Sequence, residues 1–346
     1  MVRKRVHPPM ELEGTILRGR SFDPVEGRVV IEDGEIAAVE ETSTNSDDVI
    51  LPAFVNAHTH LGDSIAKEAG GGLTLEELVA PPDGLKHRLL RAASREELVD
   101  GMRRSLQFMR STGTGTCIEF REGGVEGVEQ LRDAADGIDV EPVILGRETT
   151  DAMEASDGFG ASGANDADFD RERRATREAG KLFGIHAGEV DSSDVDPALD
   201  LDPDFLVHMV HPEPHQLDRI DDSEVPIVLC PRSNVVTDVG LAPVAELADR
   251  TTLALGTDNV MTNSPSMFRE MAFAAKLFDL SAREVLRMAT INGAEIAGLD
   301  RGVVAEGREA KLQVLDGDSD NLAGAQDIVR AVVRRAGQAD VNQIVL

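Results

Sequence analysis

The sequence predicts an α/β chain: a (β/α)8 TIM barrel carrying a small β-sandwich-like accessory domain built from both chain ends. Three observations lead there. Strand-like and helix-like segments alternate through the middle of the chain, as a parallel sheet with crossover helices requires. The two ends show short strands and turns instead. A chain of 346 residues also exceeds the roughly 250 of one barrel by too little for a second enzyme. The expected division is 11–50 plus 302–346 for the accessory domain and 51–301 for the barrel.

Near the start, Val29-Val30-Ile31 and Ile36-Ala37-Ala38-Val39 flank Asp33-Gly34, a strong hairpin signal. Near the end, Lys311–Leu315 and Ile328–Val333 also read as strands. In the middle, strand-like runs fall at Val49–Ala57, Thr114–Phe120, Pro142–Leu145, Leu182–Ala187, Phe205–Val210, Pro226–Cys230 and Thr252–Gly256, with a weaker one near Ser156–Gly160. Helical patterns lie between them at Arg95–Arg110 and Arg171–Ala179, and after them at Ser281–Ala289, where Ser281 and Glu284 form a capping box. An open doubly wound sheet is the alternative arrangement.

The formal charge is −29, from 64 acidic and 35 basic residues. Such a surface repels phosphate backbones and anionic headgroups, which excludes nucleic acid or membrane as the main partner. The acidic excess with little lysine resembles the balance in proteins of salt-loving archaea, where concentrated salt screens self-repulsion. Cys117 and Cys230 sit in apolar runs and read as buried thiols of a reducing compartment. With no apolar leader after the basic start and no apolar run of about 18 residues, the expected location is the cytoplasm. A homo-oligomer is compatible with all of this.

The chemistry concentrates at strand ends. His58-Thr59-His60 closes the first barrel strand; side chains two apart on a strand point the same way, so both imidazoles can reach one metal. His186 ends another strand with Glu189 three residues on. A neutral imidazole suits zinc or iron(II), and a nearby carboxylate suits proton transfer. His208 continues the next strand and His211 follows in its loop. Asp258 ends the apolar run Leu253-Ala-Leu-Gly-Thr, a costly place for a carboxylate without a cation.

Asn56-Ala-His-Thr-His60, His186-Ala-Gly-Glu189, Val207-His208, Cys230-Pro-Arg-Ser-Asn234 and Gly256-Thr-Asp258, in that order, resemble the successive motifs of the amidohydrolase superfamily. The nearest likeness is to its branch of adenosine, cytosine and S-adenosylhomocysteine deaminases and triazine hydrolases. The resemblance implies one divalent metal, zinc first and iron second, on His58, His60, His186 and Asp258. It implies a proton-shuttling Glu189, a polarising His208, and Asp258 as acceptor of the water's proton. Asn234 matches a place of substrate contact, and a turn-forming asparagine explains it equally well.

The expected activity is therefore hydrolytic deamination of a small aminated heterocycle of purine, pyrimidine or pterin type. An amidase, cyclic-imide hydrolase or chlorohydrolase would use the same site, and a silent metal-binding barrel is the rival from another class. Further candidate substrate contacts are Asp63, Lys67 and His87 on the long loop Leu61–Arg91, and Glu119, Arg121 and Arg147 near strand ends. No lysine falls between Lys86 and Lys181, so the carboxylated lysine of binuclear relatives is missing and a single metal is expected. The histidine that many deaminases of this branch carry after the fourth strand is also absent, Ala161–Asp166 standing in its place. Gly158-Phe-Gly-Ala-Ser-Gly163 fits a dinucleotide pattern but lacks the strong strand before it.

Overall fold

One apolar run from Val49 to His60 serves two sheets, and the switch at Ala53 organises the fold. The computed structural model describes residues 9–80 and 82–346. Its strands are β1 (Met10–Arg18), β2 (Asp23–Glu32), β3 (Glu35–Glu41), β4 (Val49–Pro52), β5 (Phe54–His60), β6 (Thr114–Arg121), β7 (Glu141–Gly146), β8 (Gly158–Ala161) and β9 (Leu182–Ala187). They continue with β10 (Phe205–His208), β11 (Ile227–Leu229), β12 (Leu253–Leu255), β13 (Asp258–Asn259), β14 (Leu312–Leu315) and β15 (Val341–Val345). Ala53 donates its backbone N–H to Lys311 at 2.9 Å, and Phe54 donates to Gly113 at 2.8 Å. Adjacent residues thus bond into different sheets, and β4 and β5 are separate strands where the sequence reads as one.

The larger sheet is parallel, in the order β12-β11-β10-β9-β8-β7-β6-β5-β13. Strands β5 and β6 are buried along their whole length, as expected where both faces are covered. Strands β12 and β13 are two halves of one interrupted run. Leu253–Leu255 pairs with β11, while Asp258–Asn259 pairs with β5. The two edges of the sheet therefore meet, which an open doubly wound sheet cannot do. Asn56 ties this seam, donating from Nδ2 to Thr257 Oγ1 at 2.7 Å and accepting from Thr257 N–H at 3.0 Å. Both groups are buried, so losing the amide strands them. Asn56→Ala is expected to cost about 1–3 kcal/mol, read as a lower urea midpoint at unchanged slope.

The smaller sheet runs β15-β14-β4-β1-β2-β3. Its pairings are antiparallel except β1 with β4. The expected hairpin at Asp33-Gly34 joins β2 to β3, with Asp33 and Gly34 both in left-handed conformations. Leu12, Ile16, Val29, Ile36, Ile50 and Leu312 pack a core of their own. The strands form one continuous sheet, where a sandwich implies two facing ones.

Ile328–Val333 corrects the sequence reading. It is a helix, Ile328–Arg335, capped by the Asp327 carboxylate on Arg330 N–H. Its valines at 329, 332 and 333 are buried while its arginines take the other face, so spacing outweighs the β-propensity of the individual residues. This helix packs on the helices Met267–Leu277 and Ala282–Met288; the chain's last strand is Val341–Val345 instead. The segment after β5 is likewise not a bare loop: it holds a 3-10 helix at Leu61–Ala66 and α-helices at Leu75–Val79 and Leu85–Ala92.

Candidate metal and catalytic centre

The C-terminal ends of the parallel strands bring His58, His60, His186, His208 and Asp258 together. His58 and His60 end β5, His186 lies in β9, His208 ends β10, and Asp258 begins β13. Ligand nitrogens of His58, His60 and His186 lie within 4.8 Å of one another, and so do those of His58 and His208 with the Asp258 carboxylate. His58 Nε2 is 3.4 Å and His60 Nε2 3.6 Å from Asp258 Oδ1. Atoms that share an ion at bond lengths of about 2 Å stand roughly 3–4 Å apart. Both ring nitrogens of His58 are buried without a hydrogen-bond partner, a costly arrangement that a cation relieves. The donor set of imidazole nitrogens and one carboxylate fits a divalent metal such as zinc or iron.

The surrounding groups aim each donor. His186 Nδ1 faces the Ala161 carbonyl at 2.8 Å. His60 Nδ1 faces Glu122 Oε1 at 2.9 Å and the Phe120 carbonyl at 3.2 Å. Each contact protonates Nδ1 and leaves Nε2 free for the metal, as oriented metal histidines require. Phe120 lies edge-on to His58, with centroids 4.6 Å apart, giving the site an apolar floor. Burial lowers the pKa of His58, and that of His60 to about 3. Burial and the neighbouring imidazoles hold His186 well below its ordinary value. All three are therefore neutral at physiological pH, the form that binds metal.

Asp258 is fixed from both sides. Ser233 donates its hydroxyl to Oδ2 at 2.5 Å and Asn259 donates its amide to Oδ1 at 2.9 Å. Burial works to raise its pKa, but the close approach of His58 Nε2 and the other nearby imidazoles overcome this and hold it well below the carboxylate range. Glu189 shows the opposite balance, because burial raises its pKa. Its Oε2 is 3.5 Å from His208 Nε2, and His208 Nδ1 pairs with the Asn234 amide at 3.0 Å. One carboxylate is thus kept charged and the other biased towards the acid, a division that suits a base and an acid. His208 and Asp258 also sit at φ of 78° and 57°; such left-handed conformations cost non-glycine residues about 1–3 kcal/mol each.

A cavity of about 340 Å3 opens on this cluster, lined by His60, His186, Glu189, His208 and Asp258, together with His87, Arg147 and other wall residues. The remaining expected contacts lie elsewhere. Glu119 turns inward, accepting from Thr59 Oγ1 at 2.6 Å and Leu61 N–H at 2.8 Å, and burial raises its pKa to about 8; it fixes the chain after the histidine pair. Asp63 accepts from Met261 N–H at 3.0 Å, and Lys67 is exposed; neither lines the cavity. Asn234 stands behind His208 as its support. Arg121 bonds the Gly127 carbonyl and Gln130, away from the cavity. His211 pairs with the Val239 carbonyl in a loop, as its sequence position suggests.

Sequence reasoning missed Lys86, Glu122, Ser233 and Asn259. Glu122 Oε1 gathers Lys86 at 2.7 Å, His60 at 2.9 Å and Arg147 at 3.2 Å. Burial works to raise its pKa, but the Lys86 ammonium, the His60 ring and the Arg147 guanidinium drive it well below the usual carboxylate value. The scarcity of lysine was the one available signal for Lys86; Glu122 and Ser233 depend on contacts no local pattern reveals.

The Amidohydrolase family model matches residues 49–202 and 172–344. A putative aminohydrolase of Methanothermobacter thermautotrophicus is 36% identical over 347 residues, covering 88% of this chain and 90% of its own. A 5-methylthioadenosine/S-adenosylhomocysteine deaminase of Haloarcula marismortui is 26% identical, over 91% of this chain and 85% of its own. Among solved structures, a variant of an atrazine chlorohydrolase from Arthrobacter aurescens, complexed with zinc and atraton, shares the fold. It superposes with a TM-score of 0.84 at 18% identity, over 97% of this chain and 93% of that one. Sequence match, strand-end histidines and fold agree: the chain belongs to the amidohydrolase family and is a hydrolase acting on carbon–nitrogen bonds.

Proposed function

We propose that this hydrolase is a mononuclear metal-dependent aminohydrolase that removes ammonia from a small aminated heterocycle. The observation that carries the reading is the pairing of Glu189 with His208 at 3.5 Å beside the cluster of His58, His60, His186 and Asp258. A site that only bound metal for stability would have no use for an acid and an imidazole aimed into its cavity. The relatives named as a putative aminohydrolase and as a deaminase support the same chemistry, and the zinc of the atrazine chlorohydrolase variant supports zinc as the ion.

His58, His60, His186 and Asp258 would hold the ion, which supplies Lewis acidity and makes water nucleophilic near neutral pH. Asp258, kept ionised, takes the proton of the attacking water. Glu189, biased towards its acid form, protonates the ring nitrogen beside the attacked carbon. The proton held by Asp258 then passes to the amine, which leaves as ammonia, while Glu189 takes the proton of the new hydroxyl as it becomes the oxo group. His208 donates from Nε2 towards the charge that develops there, with Asn234 fixing its ring. Ammonia release from a panel of aminated purines, pyrimidines and pterins tests the reading; hydrolysis of another bond without ammonia would refute it.

We also read the chain as an eight-stranded barrel with an accessory sheet domain made from both ends, suited to a salt-rich cytoplasm. A charge of −29 destabilises the compact state unless ions screen it. The melting temperature should therefore climb by more than about 10 °C between 0.1 and 2 M KCl, a gain of at least a few kcal/mol. A flat response would remove the halophilic reading.

A further inference from the structure

Lysine is rare here, six in the whole chain, yet Lys86 is 3% exposed at the wall of the catalytic cavity. It projects from the helix Leu85–Ala92, part of the segment over the strand ends. Its ammonium forms an ion pair with Glu122 Oε1 at 2.7 Å and donates to Asn259 Oδ1 at 3.1 Å. An ammonium carries three N–H groups, and among the described residues its one hydrogen-bonded partner is Asn259, with Glu122 beside it as an ion pair.

Neutralising Glu122 does not account for this placement. His60 and Arg147 already meet the same Oε1, at 2.9 and 3.2 Å, while Glu122 Oε2 is buried with no hydrogen-bond partner. Arg121 Nη1 also stands 3.7 Å from Oε2, so two guanidinium groups already balance this carboxylate without the lysine. The lysine instead stands beside the pocket, on the same wall as Arg147, whereas Glu189, Asp191 and Asp194 bring carboxylates from the loop after β9.

We propose that Lys86 is a specificity-determining residue whose free N–H reads a ring oxo oxygen on the substrate. The substrates of this site are then amino-oxo heterocycles, and bases bearing only amines and ring nitrogens are poor ones. The inference rests on the deaminase reading, which supplies the amine; the oxygen comes from Lys86 alone. Without that oxygen the buried ammonium is left short of an acceptor, and sites built around such a hydrogen bond reject analogues that lack it.

Two pairs of bases differ in the required oxo group: guanine against 2-aminopurine, and cytosine against 4-aminopyrimidine. Their binding to zinc-loaded protein is measured by calorimetry in a Glu189→Gln background, which slows turnover. In at least one pair the oxo-bearing base should bind at least about tenfold more tightly. Adding Lys86→Met should shrink that preference to about twofold by weakening the oxo-bearing base alone, at unchanged zinc content. Lys86→Gln, which keeps one donor for Glu122, serves the same purpose if the methionine variant does not fold. Absence of a preference in both pairs, including absence of binding, overturns the proposal. So does a Lys86 variant that weakens both members equally. Ammonia release is scored separately with Glu189 intact. A Lys86-dependent preference without any ammonia leaves this inference standing and removes the deaminase reading.

Discussion

Glu189→Gln should retain its zinc and lose at least about a hundredfold in kcat, with KM changed far less. Glu189 is absent from the three-donor clusters that could hold the ion, so the amide change leaves the proposed ligand set intact. It removes the carboxyl group beside His208 whose burial favours the acid form. A glutamine of the same shape can donate a hydrogen bond but cannot deliver a proton to a ring nitrogen. The loss should therefore fall on the chemical step, and metal analysis of the same sample separates it from metal depletion. Activity equal to the parent would take Glu189 out of the mechanism.

His186→Ala should have the larger effect, because it removes a proposed ligand. The imidazole approaches His58 and His60, with ring centroids 4.9 and 5.6 Å away, and its Nδ1 is already committed to the Ala161 carbonyl. Only Nε2 remains for the ion. Loss of one of the proposed ligands should weaken zinc affinity by more than the 10–100-fold typical of their outer partners, and activity at stoichiometric zinc should fall by at least about a thousandfold. Excess zinc should restore part of it. Chelation of the parent protein followed by zinc addition provides the control, with full recovery expected.

The sequence shows the centre more clearly than its supports for a physical reason. Histidines and an aspartate at the ends of apolar strands stand out, since such groups are costly there without a partner. His58, His60, His186 and Asp258 are legible in that way, and so is the alternation that lays down the parallel sheet. Glu119, Arg121, Asp63 and Lys67 carry the same kinds of charge near the same strand ends, but their directions depend on packing. Glu119 turns to the Leu61 backbone, and Arg121 to Gly127. Lys86 and Glu122 meet from segments whose distance is set by the covering helices alone. Ile328–Val333 shows how composition misleads: its valines suggest a strand, while Asp327 as a cap and the spacing 329, 332, 333 specify a helix. The division of Val49–His60 between two sheets is hidden for a related reason, since both halves are equally buried.

The account turns on whether separated strands deliver their side chains to a common ion. A crystal of the zinc-loaded protein, with anomalous data collected on both sides of the zinc edge, tests this directly. One anomalous peak bonded at about 2 Å to His58, His60, His186 and Asp258 is the predicted result. A peak held by other residues, or fully loaded protein with no peak at the C-terminal ends of the parallel strands, would contradict it.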